Sequence, residues 1–136
     1  MRLEISRRAD LAVRALLVIE RAGSRVKADA LAGELATTAA FVPQVVGPLV
    51  KRGWVRSDPG PRGGYSATVA LDDISVLDVI EAVDGPTDSG RCVVADGACG
   101  RAPHCALHTA WSSAREELVS HLGSQSLASL AAAPVR

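Results

Sequence analysis

The sequence predicts a mainly α-helical chain that carries one small β-hairpin and ends in a long helix. Three observations carry this prediction. Apolar residues recur at helical spacing in three runs before Gly53; two short extended runs then flank a stretch dense in Gly and Pro; and a further helical pattern begins after residue 103 and is long for a chain of 136 residues. Hydrophobic residues make up 48% of the chain, enough for a real core.

The elements follow in order. Ser6 is placed to cap a helix running to about Ala22, with Gly23 as its stop and Leu11, Ala15, Val18 and Ile19 on one face. Val26 to Ala36 reads as a second, short helix with Ala30, Leu31 and Leu35, followed by a turn at Thr37-Thr38-Ala39. A third helix spans about Ala40 to Arg52, with Phe41, Val45 and Leu49 four apart. Pro43 is tolerable in its first turn, whereas Pro48 removes an interior N–H and is expected to kink it or loosen one bond. Trp54 to Ser57 and Tyr65 to Val69 read as paired strands, joined by Asp58-Pro59-Gly60-Pro61-Arg62-Gly63-Gly64, a loop longer than a tight hairpin needs, which should project. Ser75 and Asp78 form a capping box, and Ile74 can staple onto Val79, starting a helix that ends near Gly85-Pro86. Residues 86–103 form a polar, Gly-rich loop. The last helix is expected from Pro103 or His104, with a short terminal turn after Ser126.

Three helices followed by a projecting hairpin is the order of a winged helix-turn-helix. Net charge is zero but unevenly spread: residues 1–65 hold eleven Lys/Arg against six Asp/Glu, and residues 66–136 hold four against nine. The first half is therefore suited to an anion. A helix fits the major groove of duplex DNA while neighbouring basic groups meet phosphate. Candidate contacts are Arg2 (with Arg7 and Arg8 adding charge), Thr38, Ala40, Phe41 and Gln44 at the start of the third helix, Lys51 and Arg52 at its end, and Arg56, Arg62, Gly63 and Tyr65 along the wing. Aromatics are only 3%, which argues against a surface stacking many unpaired bases.

Cys92, Cys99 and Cys105 lie within fourteen residues, and an odd count cannot pair off completely. Together with a start that lacks the apolar stretch of a signal peptide, the cluster points to metal or redox chemistry in a cytoplasmic chain rather than to disulfides. Thiolates are soft ligands that suit iron–sulfur clusters and zinc, and the absence of a close Cys-x2–4-Cys knuckle disfavours zinc. His108 follows Cys105 by three residues, so both can face one metal centre. No P-loop, GxSxG, HExxH or CxxC motif is present, so an enzyme is not expected. No apolar run approaches the ~20 residues that span a bilayer.

Several stretches resemble the IscR/NsrR family of bacterial winged-helix regulators, many of which carry an iron–sulfur cluster. They are Met1-Arg2-Leu3; Ala-Asp-Leu-Ala-Val-Arg-Ala-Leu-Leu at 9–17; Lys51-Arg52-Gly53-Trp54-Val55-Arg56-Ser57; the wing Gly60-Pro61-Arg62-Gly63-Gly64-Tyr65; and Ile74 through Pro86, the three-cysteine loop and the long last helix. Two departures stand in the wing and in the third helix. Family wings place a basic residue just before the Gly-Pro step, where this chain has Pro59, and Arg62 replaces a glycine; Pro48 sits deep in the third helix. The resemblance implies a transcription regulator, a repressor, whose operator affinity is set by a cluster on Cys92, Cys99 and Cys105 and that senses redox state, nitric oxide or iron status. For the fourth ligand it leaves alternatives. His108 matches the IscR-like pattern, which goes with 2Fe–2S; Asp10 matches the NsrR-like pattern, which goes with 4Fe–4S. His108 is favoured over Asp10, His104 is a third option, and His121 reads as surface.

Leu107, Trp111, Ala114, Leu118 and Leu122 form an apolar stripe on the last helix, and a helix this long on a chain this small calls for a partner. The expected assembly is a homodimer with Leu107, Trp111, Leu118 and Leu122 at its interface, presenting two heads to two half-sites of an operator. The expected division is 1–85 for the DNA-binding domain, 86–104 for the cluster-binding loop and 105–136 for the dimerisation helix and tail. The competing reading is a cluster-free or zinc-stabilised winged-helix module with a thiol switch.

Overall fold

The computed structural model describes residues 1–99 and 102–133. Residues 100 and 101 of the expected cysteine loop and 134–136 of the expected tail lie outside the described residues. In chain order the elements are α1 (Arg7–Ala22), α2 (Ala28–Leu35), α3 (Val42–Lys51), β1 (Val55–Asp58), β2 (Gly64–Ala67), α4 (Val76–Asp84), α5 (His108–Ser124) and α6 (Leu127–Ala131), with a 3-10 turn at Leu71–Asp73 before α4. The fold is a winged helix-turn-helix with a long C-terminal helix, as the sequence predicts.

The helix ends obey local chemistry. Ser6 accepts a hydrogen bond from the Ala9 N–H and starts α1, while Gly23 takes the left-handed conformation, φ 63°, that lets the chain leave it. Both halves of the capping box form at α4: Ser75 N–H donates to Asp78 at 2.8 Å, and Asp78 N–H donates to Ser75 Oγ at 3.0 Å. Helix α3 runs through Pro48, and its next interior bond, Arg52 N–H to the Pro48 carbonyl, is intact at 3.1 Å.

One apolar cluster unites the head. Leu11, Leu16 and Ile19 of α1, Leu31 and Leu35 of α2, Val45 and Leu49 of α3, and Val79 of α4 are all buried in it. So is Leu127 of α6, which no sequence pattern singled out. It is fully buried because Gln125 and Leu127 pair their backbones with Val76 and Ile74, returning the chain end to the head.

Three expectations need correction. Val26 is not helical; it is extended and bridges Tyr65, each donating its N–H to the other's carbonyl at 2.8 Å. A β-branched residue beside an open strand edge satisfies its backbone there, and α2 starts only at Ala28. Ala30 of that helix is exposed, and Ala32 takes the inner position. The last helix starts at His108, not at Pro103 or His104, because the preceding residues are drawn into the cysteine loop: His104 Nδ1 contacts the Cys99 carbonyl at 3.0 Å.

The wing depends on close backbone approach. A Cβ on Gly64 (φ 139°) would stand 2.6 Å from the Val26 carbonyl oxygen, and one on Gly63 would stand 2.0 Å from that of Asp58. Gly64→Ala therefore breaks the Val26–Tyr65 bridge and destabilises the fold by about 1–3 kcal/mol. A thermal melt checks this, with Gly33→Ala as the control: Gly33 lies inside α2 with open space around it and should hold or gain stability.

Candidate metal centre and nucleic-acid interface

The cysteine loop is shaped by few contacts. Thr87 N–H donates to Glu81 at 2.8 Å, tying the loop to α4. Asp88 accepts from the Gly90 N–H and from the Arg115 guanidinium, both at 3.0 Å, tying it to α5. A miniature hairpin follows: Arg91 bridges Ala98, Cys92 N–H donates to the Gly97 carbonyl, and Cys99 N–H donates to the Gly90 carbonyl. Cys92 and Cys99 each follow one member of the Arg91–Ala98 bridge, which brings the two segments together, and the turn closed by His108 N–H on the Cys105 carbonyl carries the third thiol.

The Sγ atoms of Cys92, Cys99 and Cys105 all lie within 4.8 Å of one another. Cys99 and Cys105 stand 3.7 Å apart. All three cysteines are half-buried free thiols. The N–H groups of Val94 and Ala95 stabilise the Cys92 thiolate and lower its pKa to about 7, whereas partial burial and the neighbouring Cys99 thiol push Cys105 up. The trio offers soft donors with one member already substantially ionised near neutrality, a set that fits an iron–sulfur cluster. A second group overlaps it: Cys99, His104 and His108 also place their ligand atoms within 4.8 Å of one another, and the two imidazoles stack at 3.8 Å. Asp10 falls in neither group; it pairs with Arg14 at 3.7 Å on the surface of α1. His121 pairs with Glu117 on the exposed side of α5. A cavity of about 260 Å³ separates the loop from α5, lined by Asp88, Cys99, Cys105, His108, Trp111 and Arg115.

The predicted DNA-facing residues divide. Thr38 works as a cap: its carbonyl accepts from the Phe41 and Val42 N–H groups and its hydroxyl accepts from Phe41. Ala40, Gln44, Lys51, Arg52, Arg56 and Arg62 are exposed, as is Arg2 before α1. Gln44, in the first turn of α3, is the one polar side chain between Val42 and Val50. Phe41 and Tyr65 instead pack partly buried against the core, and Gly63 is buried inside the wing turn. Arg56 is held by Asp58 at 3.0 Å, and the Arg52 guanidinium lies 5.7 Å above the Trp54 ring. Arg8 turns inward to donate to the Val83 carbonyl at 2.7 Å, satisfying the end of α4. Sequence reasoning missed Arg25, whose guanidinium donates to the Arg62 carbonyl at 2.7 Å and braces the wing tip; its only signal was position, next to the bridging Val26.

Arg62→Ala removes the tip's charge but keeps the carbonyl that Arg25 grips. Loss of one phosphate contact should weaken DNA binding across sequences and reduce the salt slope by about one. Affinity titrations at several salt concentrations read this, and unchanged binding at every salt would remove Arg62 from the interface.

A helix-turn-helix with a braced wing defines the winged-helix class of fold. The sequence model of the Rrf2 family, described as an iron-dependent transcriptional regulator, matches residues 5–133, and this chain belongs to that family. It is 38% identical over 90 residues to the HTH-type transcriptional regulator IscR of Xenorhabdus nematophila, an alignment covering 66% of this chain and 54% of that protein. It is 31% identical over 131 residues to the HTH-type regulator Rv1287 of Mycobacterium tuberculosis, covering 95% and 81%. Among solved structures, CymR, the global cysteine regulator of B. subtilis, superposes with a TM-score of 0.78 at 21% identity over 98% of this chain and 100% of that one. IscR of T. potens superposes at 0.70 with 20% identity, covering 93% and 84%. At these identities the superpositions speak for the fold. No helix among the described residues is long and apolar enough to cross a membrane.

Proposed function

We propose that this chain is a homodimeric repressor, acting in the cytoplasm, whose operator affinity is set by an iron–sulfur cluster bound by Cys92, Cys99, Cys105 and His108. The observation that supports it most is the convergence of three thiols within 4.8 Å on a loop fastened to both α4 and α5. In this reading residues 1–85 read DNA, 86–104 hold the cluster, and 105–136 carry the dimer helix and tail. When bound, the cluster supplies a redox- and nitric-oxide-reactive centre. The protein's part is mechanical. Glu81 and Arg115 hold the loop's base, so ordering of the loop is passed to α4 in the head and α5 at the interface, and the effector acts through its different affinity for two head arrangements. Gln44, Lys51 and Arg62 supply the DNA contacts.

His108 is favoured as fourth ligand, with 2Fe–2S, because it stands beside Cys99; Asp10, with 4Fe–4S, would have to come from a partner's first helix. Anaerobic purification with iron and sulfide quantification and a visible spectrum tests the reading. His108→Ala should shift the spectrum or shorten cluster lifetime while Asp10→Ala changes little; the reverse result moves the chain to the Asp-ligated class. A second reading, a cluster-free thiol switch, is favoured by the 3.7 Å Cys99–Cys105 separation. It predicts no iron, and the loss of two free thiols when a mild oxidant removes two electrons and two protons from that pair.

A further inference from the structure

The wing has a third extended segment beside its two strands. Val26 lies antiparallel to Tyr65, each donating its N–H to the other's carbonyl at 2.8 Å, and the Val26 carbonyl oxygen comes so near Gly64 that a Cβ there would stand 2.6 Å from it. The residues just before α2 are therefore seated on the wing. Arg25, next to Val26, reaches the tip, where its guanidinium donates to the Arg62 carbonyl at 2.7 Å. That bond does not use up the charge. A carbonyl is neutral, and a guanidinium carries five N–H donors on a planar fork. Among the described residues Arg14, Arg21, Arg56, Arg91 and Arg115 each pair with a carboxylate at 3.0 to 3.8 Å, whereas neither Arg25 nor Arg62 has a carboxylate partner. Both are exposed. The fold thus brings two uncompensated guanidinium groups to one wing tip from positions 37 residues apart.

We propose that Arg25 is a DNA-backbone contact in its own right, taking a phosphate of the duplex that the Arg62 tip meets. The ligand class follows from shape and charge. Two phosphate oxygens match the parallel N–H groups along one edge of a guanidinium, which a lysine ammonium cannot copy. The bond to the Arg62 carbonyl holds the side chain in place before DNA arrives, so less rotamer entropy is lost on binding. In the linear sequence Arg25 falls in the turn between α1 and α2, and only the Val26–Tyr65 bridge carries it to the wing. The contact rests on the DNA-binding part of the proposed function and is independent of what the cysteine loop holds.

The test uses the full-length protein and a short random-sequence DNA duplex, whose binding is carried by phosphate contacts. Affinity is measured at several salt concentrations, and each phosphate contact contributes about 0.9 to the slope of log affinity against log salt. Arg25→Ala and Arg62→Ala should each lower the slope by about one, and the double variant by about two. Between about 50 and 200 mM salt the wild-type advantage over Arg25→Ala should narrow about threefold to fourfold. Arg25→Lys should keep the wild-type slope, because its charge remains. A thermal melt controls for folding: the Val26–Tyr65 pairing is backbone to backbone and survives these substitutions. A wild-type slope in Arg25→Ala would overturn the proposal. So would a double variant with the slope of Arg62→Ala alone, which would make Arg25 only a positioner of Arg62. Both of those outcomes leave the DNA reading standing, whereas a wild type that binds no duplex at any salt would refute that reading and this contact with it.

Discussion

Cys99→Ser should reduce iron in anaerobically purified protein to background. Cys99 is the thiol that both donor groups share, and its backbone N–H fixes the miniature hairpin by bonding the Gly90 carbonyl at 3.1 Å. Serine keeps that backbone bond, so the loop retains its shape; it replaces a soft, readily ionised sulfur by a hard hydroxyl that stays protonated at neutral pH. Any loss is therefore one of ligation rather than folding, which circular dichroism and a thermal melt check. Cys92→Ser and Cys105→Ser should also lose the cluster, since removing either thiolate opens an iron to water and chelators. Full retention of iron and of the visible spectrum in all three variants would rule out the thiol trio as the ligand set. DNA binding of the wild type and Cys99→Ser, compared at one salt concentration, then reports whether the loaded or empty form grips the operator.

Leu118→Glu should separate the protomers of the proposed dimer. Helix α5 is seventeen residues long and buries none of them fully within the chain. Its predicted stripe divides in two. Leu122 joins Ser112 and Val119 among half-buried positions, and α5 packs on α4. Leu107 and Leu118 remain 50% and 38% exposed. Leu118 and Trp111 line an apolar groove of about 470 Å³ with Met1, Leu3 and Ala114. Leaving that much apolar surface in water is an aggregation hazard for a monomer, and a second copy's α5 and amino-terminal segment would cover it. A glutamate placed there would be a buried, unpaired charge, costing about 3–5 kcal/mol, or roughly a hundredfold to several thousandfold in dimer affinity. Tight binding to a two-half-site operator should fall with it, while the head keeps weak, salt-sensitive DNA affinity. Analytical ultracentrifugation decides: a monomeric wild type sinks the dimer, and so does a variant that stays dimeric with full operator affinity.

What could be read from the sequence is what neighbours in the chain decide among themselves. Ser6 and Gly23 bound α1, and the Ser75–Asp78 box starts α4, because caps close over three or four residues. The hairpin and its projecting loop follow from Gly and Pro, which restrict the backbone wherever they stand. The cysteine spacing was likewise visible, and with it the kind of chemistry the loop could hold. Tertiary structure alone decided the rest, because those choices depend on partners distant in sequence. Val26 became extended because Tyr65 offered an edge; Leu127 entered the core because the chain end returned to Ile74; Phe41 and Tyr65 pack partly against the core. His104, a solvated residue by its local pattern, stands beside Cys99 and His108 because its ring nitrogen reaches the Cys99 carbonyl. A backbone amide or a side-chain lone pair must find a partner, and which partner is within reach is settled only when the chain has closed on itself.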